Sequence, residues 1–139
     1  MLALEFSDYF PQYFTATILE WKPLLKPDKY KTIITDSLAF LVGDNRVKVY
    51  GFVIMMNYIH IIWQVKAGHK LQDVQHSFMK FTAQMIKMDL QKNHPKVLEH
   101  FYVGAKDRLF QIWERNGPVL RLKAIKCLIK SWSIFTKIR

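Results

Sequence analysis

The sequence predicts an α+β domain in which an antiparallel sheet carries its helices on one face. Three observations lead there. A β-branched apolar run, Val47 to Met55, is followed after only Met56-Asn57 by a second one, Tyr58 to Val65, which is the spacing of a β-hairpin. The second run separates into a wholly apolar side, Ile59/Ile61/Trp63/Val65, and a mixed side, Tyr58/His60/Ile62/Gln64. Two stretches of helical periodicity flank the hairpin, each with one apolar stripe to bury.

Taken in order, residues 13–19 (YFTATIL) alternate and read as a first strand. Trp21-Lys22-Pro23 and Pro27-Asp28 mark a turn-rich connection. From Lys29, apolar Ile33, Ile34, Leu38 and Leu41 follow helical spacing, with Gly43 as the expected stop. In the strand 47–55, Val47, Val49, Gly51 and Val53 are expected to share a face. After Gly68, a long helix is expected from about Lys70 to Asn93, burying Leu71, Val74, Phe78, Phe81, Met85 and Met88, until His94-Pro95 closes it. Leu109–Trp113 reads as a fourth strand, followed by the turn Asn116-Gly117-Pro118. The order strand, helix, strand, strand, helix, strand is the split β-α-β arrangement of ferredoxin-like domains, with a sheet of four or five strands. That topology serves many functions and selects none.

The chain of 139 residues is long enough for one core. It has no apolar run of about 18 residues, so no membrane span is expected. The start, MLALEFSDYF, lacks the basic region of a signal peptide. A single cysteine, Cys127, suits a reducing cytoplasm. Net charge is +10 and uneven: residues 1–114 hold 14 Lys/Arg against 11 Asp/Glu, whereas residues 115–139 hold 7 basic side chains and no acid. Such an excess favours a polyanion, nucleic acid first, although a solvated basic tail accounts for the same charge. The tail can form a helix carrying Lys123, Lys126 and Lys130 alongside Leu120, Ala124, Leu128 and Trp132.

The segment MMNYIHIIW resembles the histidine–hydrophobe–histidine (HUH) motif of the REP-associated tyrosine transposases and their insertion-sequence relatives, with Tyr58 in place of the first histidine. "YFTATILEWKPLL", "IITDSLAFL", "VKVYGFVIMMNYIHIIWQ", "FMKFTAQMI" and "FQIWERN" resemble further family segments in the right order, over residues 9–116. The resemblance implies a domain at 1–116 with a divergent basic tail at 117–139. It also implies single-stranded or hairpin DNA as partner, and Mg²⁺ or Mn²⁺ held by paired histidines to polarise a scissile phosphate. A tyrosine on the long helix would attack phosphorus.

This chain departs from the family pattern at the chemistry. His60 remains as a metal-ligand candidate, but Tyr58 in the partner slot is a neutral phenol and a poor ligand at neutral pH. Metal binding would be weak at best. Phe81 lies near the nucleophile slot and cannot attack phosphorus; Tyr58, on a rigid strand, is a poor substitute and more simply a structural aromatic. Gln84 and His76 are candidate third ligands, more simply solvent-facing. Lys48, Lys80, Lys87, Lys123, Lys126 and Lys130 are the candidate DNA-binding side chains, although exposed lysines are ordinary. Trp63 and Trp113 are expected in the core.

The reading is therefore a transposase-like DNA-binding protein, catalytically impaired, with homodimer formation left open. The rivals are an RNA- or protein-binding module on the same fold, and a decaying gene copy without a selected function.

Overall fold

In the computed structural model, residues 10–115 are described. Strand β1 (Gln12–Thr17) leads through a 3₁₀ turn (Leu19–Trp21) to helix α1 (Asp28–Gly43). The hairpin β2 (Val47–Ile54) and β3 (Tyr58–Val65) follows, then the long helix α2 (Leu71–Asn93) and a short helix α3 (Pro95–Glu99). The sheet order is β1-β3-β2, antiparallel throughout, so the most apolar strand is central. This is the expected α+β arrangement. The two-residue connection is also as expected: Met55 N–H donates to Tyr58 O across Met56-Asn57, and Ile18 and Leu25 N–H groups donate to the carbonyls of Asn57 and Met56. None of the helices here is long and apolar enough to cross a membrane.

The core lies between the helices and the Ile59/Ile61/Trp63/Val65 side of β3, all four residues being buried. Trp63 stacks on Phe14, and both meet the Phe78 ring edge-on, which fixes α2 against that face. Trp113 is also buried and donates from Nε1 to Thr82 Oγ1.

Four sequence expectations are corrected. The residues α2 buries are Val74, Phe78, Thr82, Ile86 and Leu90, while Phe81, Met85 and Met88 are exposed. Steps of four residues walk around a helix by roughly 40° each. The N-terminal half of α2 thus rests on the sheet through Phe78, while its C-terminal half rolls onto α1. The second correction concerns β2, which carries a bulge at Tyr50: Val49 pairs with Trp63 but Gly51 with Ile62. The extra residue moves Gly51 and Val53 to the side of His60, away from Val47 and Val49. Third, α1 does stop at Gly43 as expected, but the left-handed cap is supplied not by that glycine but by Asn45 (φ 57°), with Arg46 N–H returning to Leu41 O. Finally, Leu109–Trp113 adds no strand; the sheet has three among the described residues. The segment runs beside the end of β1 through one bridge, Ile18 with Trp113, flanked by Leu19 N–H to Ile112 O and Glu114 N–H to Thr17 O.

Where α2 meets α1, Tyr30 Oη donates to Asp89 Oδ2 at 2.6 Å, Lys29 Nζ lies 2.8 Å from the same oxygen, and Asn93 bonds the other. The bonds from Lys29, then Tyr30, bring the Asp89 carboxyl down to about 2, and burial followed by the carboxylate pushes the Tyr30 phenol up. Tyr30 is 2% exposed. Replacing it by Phe keeps the packing and leaves the carboxylate one donor short. Tyr30→Phe is expected to cost about 1.5–3 kcal/mol, the range for a hydrogen bond to a charged group, read from urea midpoints at neutral pH.

Candidate functional site

By strand alternation, the face of the sheet away from the helices is built from Tyr13, Thr15 and Thr17 of β1, Tyr58, His60, Ile62 and Gln64 of β3, and Gly51 and Val53 of β2. Tyr58 and His60 stand side by side there, ring centroids 4.8 Å apart, as the two-residue spacing requires. The Tyr13 ring lies 5.6 Å from His60, and the Trp21 ring 6.4 Å from Tyr58.

Trp21 reaches that position through an unusual backbone. Glu20 and Trp21 are consecutive non-glycine residues in the left-handed region, at φ 53° and 60°. Each such residue costs of order 1 kcal/mol or more. Holding them there, Glu20 N–H donates to Glu114 Oε2 at 2.8 Å, and Trp21 N–H donates to Ile18 O.

The mixed face expected from the sequence is thus present, but at Tyr58 and His60 it is closed, at 6% and 3% exposure. His60 Nδ1 is 3.1 Å from Thr15 Oγ1, and Nε2 is buried without a hydrogen-bonding partner. Burial lowers the imidazole from 6.5 to about 4, so at neutral pH the ring is uncharged.

A neutral imidazole with an unpartnered nitrogen is the form a metal would need. Among the described residues the rest of a donor set is missing. Among the described residues no group of three His, Cys, Asp or Glu side chains could hold a metal ion, and the neighbour of His60 is a phenol. The residues present do not fit a divalent cation. Nor does the fold bring Phe81 to His60. Phe81 belongs to α2, which packs on the helix-bearing side of the sheet, while His60 projects from the other. Gln84 and His76 lie on the same helix, exposed, and are likewise separated from it.

The candidate DNA-binding lysines divide in the same way. Lys80 is exposed and Lys87 half-buried, both on α2. Lys48 lies on β2, paired with Gln64 of the opposite face. The tail residues Lys123, Lys126 and Lys130, and the boundary between 1–116 and 117–139, lie outside the described residues.

Lys48 has company that the sequence pattern does not reveal. At the open end of the hairpin, Asn45, Lys48, Tyr50, Gln64, Val65, Lys66 and Ala67 line a cleft of about 710 Å³. Tyr50 Oη donates to Gln64 Oε1 at 2.7 Å, Lys48 Nζ sits 5.1 Å from the centre of the Tyr50 ring, and Lys66 Nζ reaches Asn45 Oδ1 at 3.4 Å. Tyr50 is 50% exposed. The signal available in the sequence was an aromatic two residues from a lysine on a strand; what assembles the cleft is the pairing of Lys48 with Gln64, which also receives the Tyr50 hydroxyl.

No protein-family model and no curated protein matches the sequence. Among solved structures, the chain is similar to a REP-associated tyrosine transposase bound to a REP hairpin, at 14% identity and a TM-score of 0.49, over 84% of this chain and 63% of that one. It thus spans less than two thirds of that transposase. It is similar also to a proposed transposase from Deinococcus radiodurans R1, at 15% identity and a TM-score of 0.49, over 88% of this chain and 91% of that one.

Proposed function

We infer that this chain is a transposase-like DNA-binding protein that holds single-stranded or hairpin DNA without cutting it. The observation that carries the reading is the pair Tyr58–His60. A two-residue turn and the strand alternation set these side chains next to each other, in the arrangement of the HUH motif that the sequence resembles. One ligand of that motif is a phenol, the remaining imidazole is buried, and the helix carrying Phe81 lies across the sheet from them. Binding fares better than chemistry. The net charge of +10 and the exposed Lys48 and Lys80 favour phosphate contacts, which need no metal.

The test is incubation with a hairpin oligonucleotide labelled at both ends and bearing a single-stranded flank, in Mn²⁺. The expected result is a salt-sensitive complex with no covalent protein–DNA adduct on a denaturing gel. Efficient adduct formation would sink the non-cutting half of the reading. Tighter binding to a structured RNA than to the hairpin DNA would favour an RNA-binding module instead.

A further inference from the structure

We propose that the cleft between Lys48 and Lys66 is a site for one unpaired nucleotide of a single strand, its base stacked on Tyr50 and its phosphates held by the two ammonium groups. The proposal rests on the DNA-binding reading above and deepens it. Volume, charge, aromatic surface and backbone all bear on it. At about 710 Å³ the cleft falls in the roughly 300–1,000 Å³ range of small-ligand sites. Its lining residues include two lysines and no carboxylate. The nearest acid in sequence, Asp44, is already taken by Arg46, whose Nε lies 2.6 Å from Oδ2. The local field is therefore positive, which selects an anion.

Tyr50 makes the anion a nucleotide rather than a free phosphate. A half-exposed tyrosine is an ordinary surface residue until something fixes its ring. Here the hydroxyl is tied to Gln64 and the Lys48 ammonium lies over one face of the ring, 5.1 Å from its centre, so the ring is pre-set, with its other face as the stacking platform. Base stacking on such a ring next to a phosphate-binding lysine is the usual way a single strand is held without sequence preference. The bulge supplies the last element. It leaves Tyr50 without a pairing partner on β3, and it brings Gly51 onto the same outer face, opposite Ile62. A Cβ at Gly51 would meet nothing within 4 Å, and its φ is not in the left-handed region. Packing therefore does not demand the glycine, and its missing side chain keeps the strand bare beside the platform, as where a ligand approaches backbone closely.

The experiment uses the full chain and two fluorescein-labelled probes of equal charge: a dT12 strand and a 12-mer of abasic sugars. Stacking predicts that Tyr50→Ala weakens dT12 binding about tenfold and leaves the abasic probe unchanged, while Tyr50→Phe, which keeps the ring, stays within about threefold. Lys48→Gln and Lys66→Gln should each weaken both probes and reduce the slope of log K against log salt by about 0.7. A measurement on the unaltered protein guards against a variant that fails to fold: a dT12 carrying 5-iodouracil is expected to photo-cross-link to Tyr50, located by mass spectrometry. If wild type binds dT12 but Tyr50→Ala binds dT12 as tightly as wild type does, or the cross-link maps elsewhere, the cleft is not the site and the DNA-binding reading stands. The cleft is equally ruled out if only the duplex stem of a hairpin binds. If wild type binds neither dT12 nor hairpin DNA, both fail.

Discussion

Acidification from pH 7 to pH 4 is expected to remove about 3 kcal/mol of folding stability through His60 alone, and His60→Leu is expected to abolish that part of the pH dependence. The imidazole is 3% exposed, and its folded value of about 4 lies below the unfolded 6.5 because burial penalises the charged ring. Between those two values the unfolded chain binds the proton and the folded chain does not. Stability is therefore complete above about pH 6.5, declines as pH falls through the window, and levels off for this group below about 4. Among the described residues, the side chains against the ring, Thr15, Tyr13 and Tyr58, supply no carboxylate to compensate the charge. Asp89 acts in a separate window: its carboxyl is held at about 2 against 3.8, so its contribution is present above 3.8 and is lost only as pH falls toward 2. Urea midpoints of wild type and His60→Leu between pH 8 and 4 separate the two. Loss of the Thr15 bond displaces the variant's whole curve, whereas the slope between 6.5 and 4 reports the titration. Parallel curves in that window would show that His60 is not held neutral by the fold.

That neutrality marks where the sequence stopped being informative. The hairpin was legible to the residue at Tyr58–Val65, because period-two alternation and a two-residue turn are local signals. From them followed the apolar core face and the adjacency of Tyr58 and His60. The burial of the opposite face was not legible. The rings of Tyr13 and Trp21 that flank it are distant in sequence, Tyr13 from His60 and Trp21 from Tyr58, and Trp21 arrives through two left-handed residues that nothing in "LEWKP" announces. The stripe on α2 departs from the sequence pattern for a related reason. Alternating three- and four-residue spacing describes a helix lying along one partner. This helix changes partner midway, from the sheet at Phe78 to α1 at Asp89, so Phe81, Met85 and Met88 fit the pattern and miss the contact. In β2, one unpaired residue at Tyr50 reversed the faces of all that follows it.

Trp63→Ala is expected to cost about 3–5 kcal/mol, the range for emptying a large buried aromatic site, and Trp63→Phe much less. The side chain is fully buried at the centre of β3, paired with Gln12 on one side and Val49 on the other. It stacks on Phe14 with centroids 5.2 Å apart and receives Phe78 edge-on at 5.7 Å, so it joins β1, β3 and α2 in one contact. Removing it leaves a cavity walled by strands that cannot close without breaking their ladders, which places the loss toward the upper end of the range. The comparison with Phe turns on the indole nitrogen. Nε1 of Trp63 is buried with no hydrogen-bonding partner, and an unpaired polar group in that setting costs about 1–3 kcal/mol. Phe loses volume but also removes this penalty, so the two effects oppose each other. A domain of this size is stable by only about 5–15 kcal/mol, and Trp63→Ala should show a much lower urea midpoint with an unchanged m-value. If Trp63→Phe proves as damaging as Trp63→Ala, shape rather than the orphaned N–H governs the site, and the ring stack on Phe14 and Phe78 carries more of the fold than its nitrogen takes away.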